Sequence, residues 1–156
     1  MEKSLQDRCF KYSRHISGLC GVECSVIDMG LHTFLDEPGQ KGTFCQNCSQ
    51  YNQMRQYTHC YGCSEAYRWN GKYIYYCPLG LVFVASSVSD ETGNLAGGLV
   101  AGPIIMGSVQ DTLQELPCGE MTPQLEELPE MSTRQVTDLA EVLAAVTAPI
   151  SGMPHS

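Results

Sequence analysis

The first apolar stripe of the chain recurs at intervals of four, three and four residues, and charged side chains occupy the opposite face. This spacing predicts an amphipathic helix over residues 4–17. Ser4 followed by Asp7 is typical of a helix start, and Gly18 is the expected stop. The stripe consists of Leu5, Cys9, Tyr12 and Ile16.

Five short runs rich in β-branched and aromatic residues predict strands. The first two flank Met29-Gly30 and predict a hairpin, and the last three follow the turn signal Asn70-Gly71 and predict a meander. Glycines in the last run, among them Gly97 and Gly98, indicate either a bend of the sheet or the close approach of another group. The runs are residues 22–29, 31–35, 72–77, 81–89 and 95–106.

The C-terminal part of the chain predicts a linker and a final helix. Prolines and an acidic run mark the linker, and Ser132 and Gln135 then have capping-box spacing. An apolar stripe of Val136, Leu139, Leu143 and Val146 follows, and it packs either on the domain or against a second copy of the chain. The predicted divisions are a domain at 1–116, a linker at 117–131, an amphipathic helix for signalling or dimerisation at 132–150 and a disordered tail at 151–156.

Composition narrows the class of protein. The chain has 156 residues, enough for one domain with a hydrophobic core. Its net charge is -8 with only nine Lys and Arg, so we expect no direct contact with nucleic acid. No apolar run is long enough to span a membrane, and the N-terminus lacks the apolar core of a signal peptide, so a cytoplasmic location is expected.

Five of the nine cysteines predict a metal site. Two CxxC pairs lie in residues 44–69, a segment that predicts two short helices, and a fifth cysteine ends the third predicted strand. Two such pairs supply the four thiolates that zinc prefers. A structural zinc site is the preferred interpretation, and an iron–sulfur cluster, a redox dithiol or disulfide, and reduced core cysteines are the alternatives. The candidate ligands are Cys45, Cys48, Cys60, Cys63 and Cys77.

The remaining chemistry-bearing residues suggest no catalysis. The sequence contains no Gly-rich phosphate loop, paired-carboxylate motif or nucleotide fingerprint, and no histidine is placed as the base of a nucleophile. His59, directly before Cys60, is expected to lie behind the ligands or at the surface rather than to bind the metal. The cysteines outside the cluster, such as Cys9, are expected to act as small buried apolar groups.

Several strings in the sequence resemble one family. They are Phe44-Cys45, Cys63-Ser64-Glu65, the run from Tyr76 to Leu81, and the glycine-rich run from Gly97 to Pro103. Together they resemble the PocR family of ligand-sensing domains over roughly residues 4–110. The resemblance implies an α+β fold, a variant of the PAS fold with a five-stranded antiparallel sheet and helices over one face, which senses small hydrocarbon derivatives such as diols in bacterial signalling proteins.

The resemblance also bears on the cysteines. Cys45, Cys63 and Cys77 match the family's cysteine positions, whereas Cys48 and Cys60 look like additions. At most four of the five can surround one zinc ion, so the identity of the cysteine left out stays open among Cys48, Cys60 and Cys77.

A PAS-like fold would place a pocket between the helices and the sheet. Period-two alternation puts Tyr73 and Tyr75 on one face with Cys77, and Leu81 and Phe83 together on the next strand. These side chains either line a pocket for a small, partly apolar ligand or fill the core. The candidate ligand-binding residues are Phe44, Tyr73, Tyr75, Leu79, Leu81 and Phe83.

Three functions remain open at this point. The first is a sensory domain that binds a small organic ligand beside a zinc site, with a second copy of the chain and a separate DNA-binding or kinase output module as expected partners. The second is a redox or gas sensor built on an iron–sulfur cluster or a dithiol switch. The third is a zinc-stabilised protein interaction module.

Overall fold

The computed structural model describes residues 1–35, 52–77, 80–106 and 127–151, and for residues 52–56 it describes the backbone alone. Within these ranges the chain forms three helices and five strands. The helices are α1 (Lys3–Cys20), α2 (Asn52–Arg68) and α3 (Thr133–Thr147). The strands are β1 (Cys24–Asp28), β2 (Thr33–Leu35), β3 (Lys72–Tyr76), β4 (Val82–Ser89) and β5 (Leu95–Ile104).

The five strands form one antiparallel sheet in the order β2-β1-β5-β4-β3. The predicted hairpin around Met29-Gly30 is confirmed, because Asp28 of β1 pairs with Thr33 of β2. The turn before β3 is confirmed as well, since Asn70 and Gly71 both have positive φ, at 63° and 91°. The α+β prediction with a five-stranded antiparallel sheet is therefore confirmed.

The first helix runs past its predicted stop. Gly18 lies inside α1, and Gly21 ends the helix instead, with a left-handed φ of 67° and an N–H that donates to the carbonyl of Ser17. A glycine ends a helix only where the backbone takes this conformation, and the sequence does not show which of two nearby glycines does so.

The capping box of the last helix is confirmed. The backbone N–H of Gln135 donates to the Ser132 hydroxyl over 3.2 Å, and the backbone N–H of Ser132 donates to the Gln135 side chain over 2.8 Å. Of the predicted linker, residues 127–131 are described and lie beside the end of β5. Residues 152–156 of the predicted tail lie outside the described part of the chain.

The sheet is buried on both faces. Alternate residues of β4 divide between them: Val82 and Val84 face α1 and α3, whereas Phe83 and Ala85 face α2. The resemblance implied helices over one face, and the structure differs in adding two helices to the other. We call the two layers the α2-side core and the α1-side core. The α2-side core includes Phe34, Cys60, Cys63, Tyr75, Leu81 and Phe83, and the α1-side core includes Leu5, Cys9, Leu99, Val136, Leu139 and Leu143.

The apolar stripe of α3 therefore packs on the sheet of its own chain, which is the first of the two alternatives the sequence left open. None of the described helices combines the length and the apolarity that a membrane span requires.

Candidate ligand and metal site

A buried polar pair lies at the centre of the α2-side core. His59 of α2 is 1% exposed, and its Nδ1 lies 2.6 Å from the hydroxyl of Tyr75 on β3, a hydrogen bond between buried partners. Buried polar groups are stable only when they are paired, so each of these side chains fixes the other. The sequence left His59 either behind the metal ligands or at the surface, and the structure places it in the interior.

Aromatic rings enclose this pair. The His59 ring makes edge contacts with Phe34 and Phe83, with ring centres 5.0 and 4.5 Å apart. The Tyr75 ring stacks on Phe83 at 5.7 Å and on Tyr73 at 6.2 Å. Stacked and edge-on rings at these separations are favourable beyond their buried area. The result is an aromatic wall with one polar pair inside it.

The predicted strand alternation is confirmed by these contacts. Tyr73 and Tyr75 lie on the side of the sheet that faces α2, together with Leu81 and Phe83. The structure thus brings together four of the six candidate ligand-binding residues. The other two, Phe44 and Leu79, lie outside the described residues.

Helix α2 approaches the sheet closely because its inner positions carry small residues. A Cβ atom added to Gly62 would lie 2.5 Å from Cε1 of the Tyr75 ring. A Cβ added to Gly98 of β5 would lie 2.8 Å from the Cys63 sulfur and would also collide with the carbonyl oxygen of Ser86. Gly98 therefore makes room for the Cys63 side chain of α2.

Two of the five candidate metal ligands lie on α2, one turn apart. Cys60 and Cys63 are both buried in the α2-side core, and Cys63 is fully inaccessible. Cys77 is half-buried and packs against the same core, and its backbone N–H donates to the carbonyl of Leu81. Cys45 and Cys48 lie outside the described residues.

The electrostatics of the pair favour protonated thiols. Burial raises the pKa of Cys60, and burial together with the neighbouring Cys60 raises the pKa of Cys63 further. A metal ion binds thiolates, so ligation here requires two protons to leave. Buried, protonated thiols are also poor nucleophiles, which argues against a rapid dithiol switch at this pair.

The described residues partly fit a zinc site. Cys60 and Cys63 lie one helical turn apart in the same core, and Cys60 contributes to the raised pKa of Cys63, as expected for a CxxC pair on one turn. Across residues 1–35, 52–77, 80–106 and 127–151, no three Cys, His, Asp or Glu side chains come close enough to hold one ion. Cys77 therefore does not join the pair in the described arrangement, and two further ligands would have to come from elsewhere in the chain.

A separate cavity of about 370 Å³ lies at the other end of the sheet. The first turn of α1 and the turn between β4 and β5 line it, and its charged residues include Arg8, Asp28 and Glu91. The carboxylate of Asp28 is 2.9 Å from the N-terminal ammonium of Met1 and also accepts the Gly30 N–H. None of the four predicted ligand-binding residues that the structure describes lines this cavity.

A five-stranded antiparallel sheet with flanking helices is an α+β architecture compatible with sensory domains. The family described as the sensory domain found in PocR matches residues 6–154, nearly the whole chain, and the chain therefore belongs to that family. The match extends through α3, well past residue 110, where the resemblance in the sequence ended. Membership supports ligand sensing within a regulator as the role of the domain. Searches of the curated proteins and of the solved structures gave no match.

Proposed function

We propose that this chain is the sensory domain of a bacterial regulator, and that it binds a small organic molecule on the α2 side of the sheet. The observation that carries the proposal is the buried His59–Tyr75 hydrogen bond inside the aromatic wall. Ligand sites are mostly apolar, with a few placed polar groups that set orientation. A neutral ligand with one hydroxyl-rich end and one apolar end suits such a wall, and the diols that the resemblance implies are of this kind.

The ligand would lie against Tyr73, Tyr75, Leu81 and Phe83, with Phe44 and Leu79 completing the wall. Because the described side chains pack closely, we expect binding to displace some of them or to replace one partner of the His59–Tyr75 hydrogen bond. A hydroxyl of the ligand can both donate and accept, so it can replace either partner of that hydrogen bond. An ammonium would have to lose its hydration with no acidic side chain among the described residues of the wall, and it should bind poorly.

A thermal-shift screen tests this proposal. It compares short diols with mono-alcohols and carboxylates of equal chain length, on the wild type and on two tyrosine variants. Tyr75→Phe removes the buried hydroxyl, and we expect it to weaken the response by about 3- to 10-fold in affinity, the effect of one hydrogen bond. Tyr61→Phe is the matched control, since Tyr61 is 55% exposed. If no neutral hydroxyl compound raises the melting temperature, or if both variants respond alike, the proposed site is wrong.

We further propose that the domain holds one zinc ion through Cys45, Cys48, Cys60 and Cys63, and that Cys77 is the cysteine left out. The neighbouring Cys60 and Cys63 thiols supply half of a tetrahedral set, and the other CxxC pair has the same spacing. Such an ion would tie α2 to the segment that carries Cys45 and Cys48, and its binding energy would add to folding stability.

Elemental analysis of the protein purified under reducing conditions tests the metal proposal. We expect about one zinc per chain in the wild type and in Cys77→Ser, and loss of zinc in Cys48→Ser. A protein that instead contains iron and absorbs visible light would favour the iron–sulfur alternative. A protein with neither metal, or a Cys77→Ser variant that loses zinc while Cys48→Ser keeps it, would overturn the ligand set proposed here.

The output of the regulator is proposed to come from a DNA-binding or kinase module to which this domain is coupled, with α3 relaying the bound state. Self-association of the domain is part of the same proposal. Sedimentation of the purified domain across a concentration series tests it, and a single monomeric species throughout would refute it.

A further inference from the structure

Residues 127–131, here called the strap, join the two cores that lie on opposite faces of the sheet. Leu128 packs against the α2-side core, and Met131 packs against the α1-side core. The chain is also tied down after the strap, because Ser132 begins the capping box of α3 and Val136 is buried in its first turn. The strap thus contacts the α2-side core and leads directly into α3.

Two backbone hydrogen bonds fix the strap to the end of β5. The Ile105 N–H donates to the carbonyl of Pro129 over 2.9 Å, and the Met131 N–H donates to the carbonyl of Ile105 over 3.0 Å. These bonds form an isolated parallel bridge between Ile105 and Glu130. Ile105 itself belongs to the α2-side core, whereas the preceding Ile104 belongs to the α1-side core. The strap is therefore attached just past the end of β5, at a residue whose side chain lies in the α2-side core.

Two hydrogen bonds limit how far this short connection can move. Only two residues separate Leu128 from Met131, so a backbone shift at Leu128 strains the bonds that join Pro129 and Met131 to Ile105. Closely packed cores respond to a change of volume by rearranging rather than by deforming smoothly.

We propose that the strap transmits the state of the α2-side core to the first turn of α3, with Leu128 as the positioning residue. A ligand or metal that repacks this core moves Leu128, which shifts the balance between the bonded and released strap and so the order of the α3 N-terminus. The nature of the signal rests on the proposed function, whereas the coupling between Leu128 and α3 does not.

A double-mutant cycle tests the coupling without any ligand. Leu128→Ala and Val136→Ala remove side chains from cores on opposite faces of the sheet, and substitutions without shared contacts ordinarily have additive effects. Each single substitution raises the unfolding equilibrium constant by some factor. We expect the factor for the double variant to be at least about fivefold smaller than the product of the two single factors, because a released strap already loosens Val136. Leu128→Ala with Leu5→Ala, which is on α1 in the same core as Val136, is the control pair and should be additive. Additivity of both pairs would overturn the proposal.

Hydrogen exchange gives a second readout that a merely structural role of Leu128 would not move. Leu128→Ala should lower the protection of α3 amides by about tenfold relative to α1 amides. Leu128→Met, which keeps the volume, should restore the α3 protection. Equal loss in α1 and α3 for Leu128→Ala refutes the strap as a relay. If a diol or zinc binds but leaves α3 exchange unchanged in the wild type, the relay fails while the proposed function stands.

Discussion

Gly62 of α2 offers the sharpest test of how the helix sits on the sheet. Replacing an interior helical glycine by alanine ordinarily stabilises a helix by about 0.5–1 kcal/mol. At Gly62, however, the new Cβ would lie 2.5, 2.7 and 3.0 Å from three atoms of the Tyr75 ring. Carbon atoms prefer separations of about 3.5–4.0 Å, so the ring must move by roughly 1 Å.

The surroundings of Tyr75 make that movement costly. The ring is stacked between Tyr73 and Phe83, and its hydroxyl is bonded to the buried His59. Overpacking of a core costs about 1–3 kcal/mol, and an orphaned buried polar group costs about 1–3 kcal/mol. Subtracting the gain in helix propensity of about 1 kcal/mol leaves a net destabilisation of roughly 1–5 kcal/mol for Gly62→Ala.

Gly18 of α1 is the matched control. It lies inside a helix, is exposed, and has no heavy atom within 4 Å of an added Cβ. Gly18→Ala should therefore raise the free energy of unfolding by about 0.5–1 kcal/mol, measured by urea denaturation. In a Tyr75→Ala background, Gly62→Ala should lose its penalty. The reasoning is refuted if Gly62→Ala stabilises the wild type as much as Gly18→Ala does.

Three further predictions concern separate parts of the fold. Burial raises the pKa of Cys9 from 9.0 to about 12, so the folded state retains a proton that the unfolded state loses. The stability that this thiol contributes is full below pH 9 and declines as the pH rises towards 12, by roughly 1.4 kcal/mol per pH unit at most. Urea denaturation at pH 8 to 11 should therefore give a shallower decline for Cys9→Ala than for the wild type, and equal slopes would contradict this. Ser132→Ala removes the α3 cap and should cost about 0.5–2 kcal/mol, whereas Arg134→Ala, exposed in the same turn, should have almost no effect; a similar loss in both variants would argue against the cap. Lys72 and Glu141 form an exposed ion pair, so Lys72→Met should change the unfolding free energy by less than about 1 kcal/mol, and a larger change would mean that this pair holds α3 to the sheet edge.

Periodicity predicted the sheet well because the strands have large side chains on regular positions. Alternation in β3 and β4 placed Tyr75 and Phe83 on a common face, and the structure confirms this with a stacked pair. Alternation also predicted both strands' bounds to within about one residue, at Lys72–Tyr76 and Val82–Ser89. Alternation does not show how many layers of helices cover a sheet. The helices on both faces were therefore seen only in the structure.

Helix α2 was hard to predict for the opposite reason. Its buried positions include His59, Gly62, Cys63 and Ala66, which are small or polar, and its exposed positions include Tyr57 and Tyr61. A helix with this distribution has no apolar stripe, so the sequence did not show its bounds. Of the segment 44–69, for which two short helices were predicted, residues 52–68 form one helix and residues 44–51 lie outside the described residues. The burial of His59 escaped prediction as well, because its partner Tyr75 is sixteen residues away on a strand. The remaining candidates of this region, Phe44, Cys45 and Cys48, lie outside the described residues.

Small inner residues made α2 hard to predict from the sequence. They also explain how the proposed metal site and the proposed ligand site would affect each other. Large rings rise from the sheet and small side chains face them from the helix, so the position of α2 sets the space around Tyr75. His59, Cys60 and Cys63 lie within two turns of that helix, on either side of Gly62. An ion bound by the two cysteines would hold Gly62 against the Tyr75 ring and would preorganise the polar pair, which reduces the ordering cost of binding a ligand there. Under the proposed function, bound zinc would therefore raise the affinity for the ligand without contacting it. By reciprocity, bound ligand would strengthen the binding of zinc and oppose its loss to a chelator.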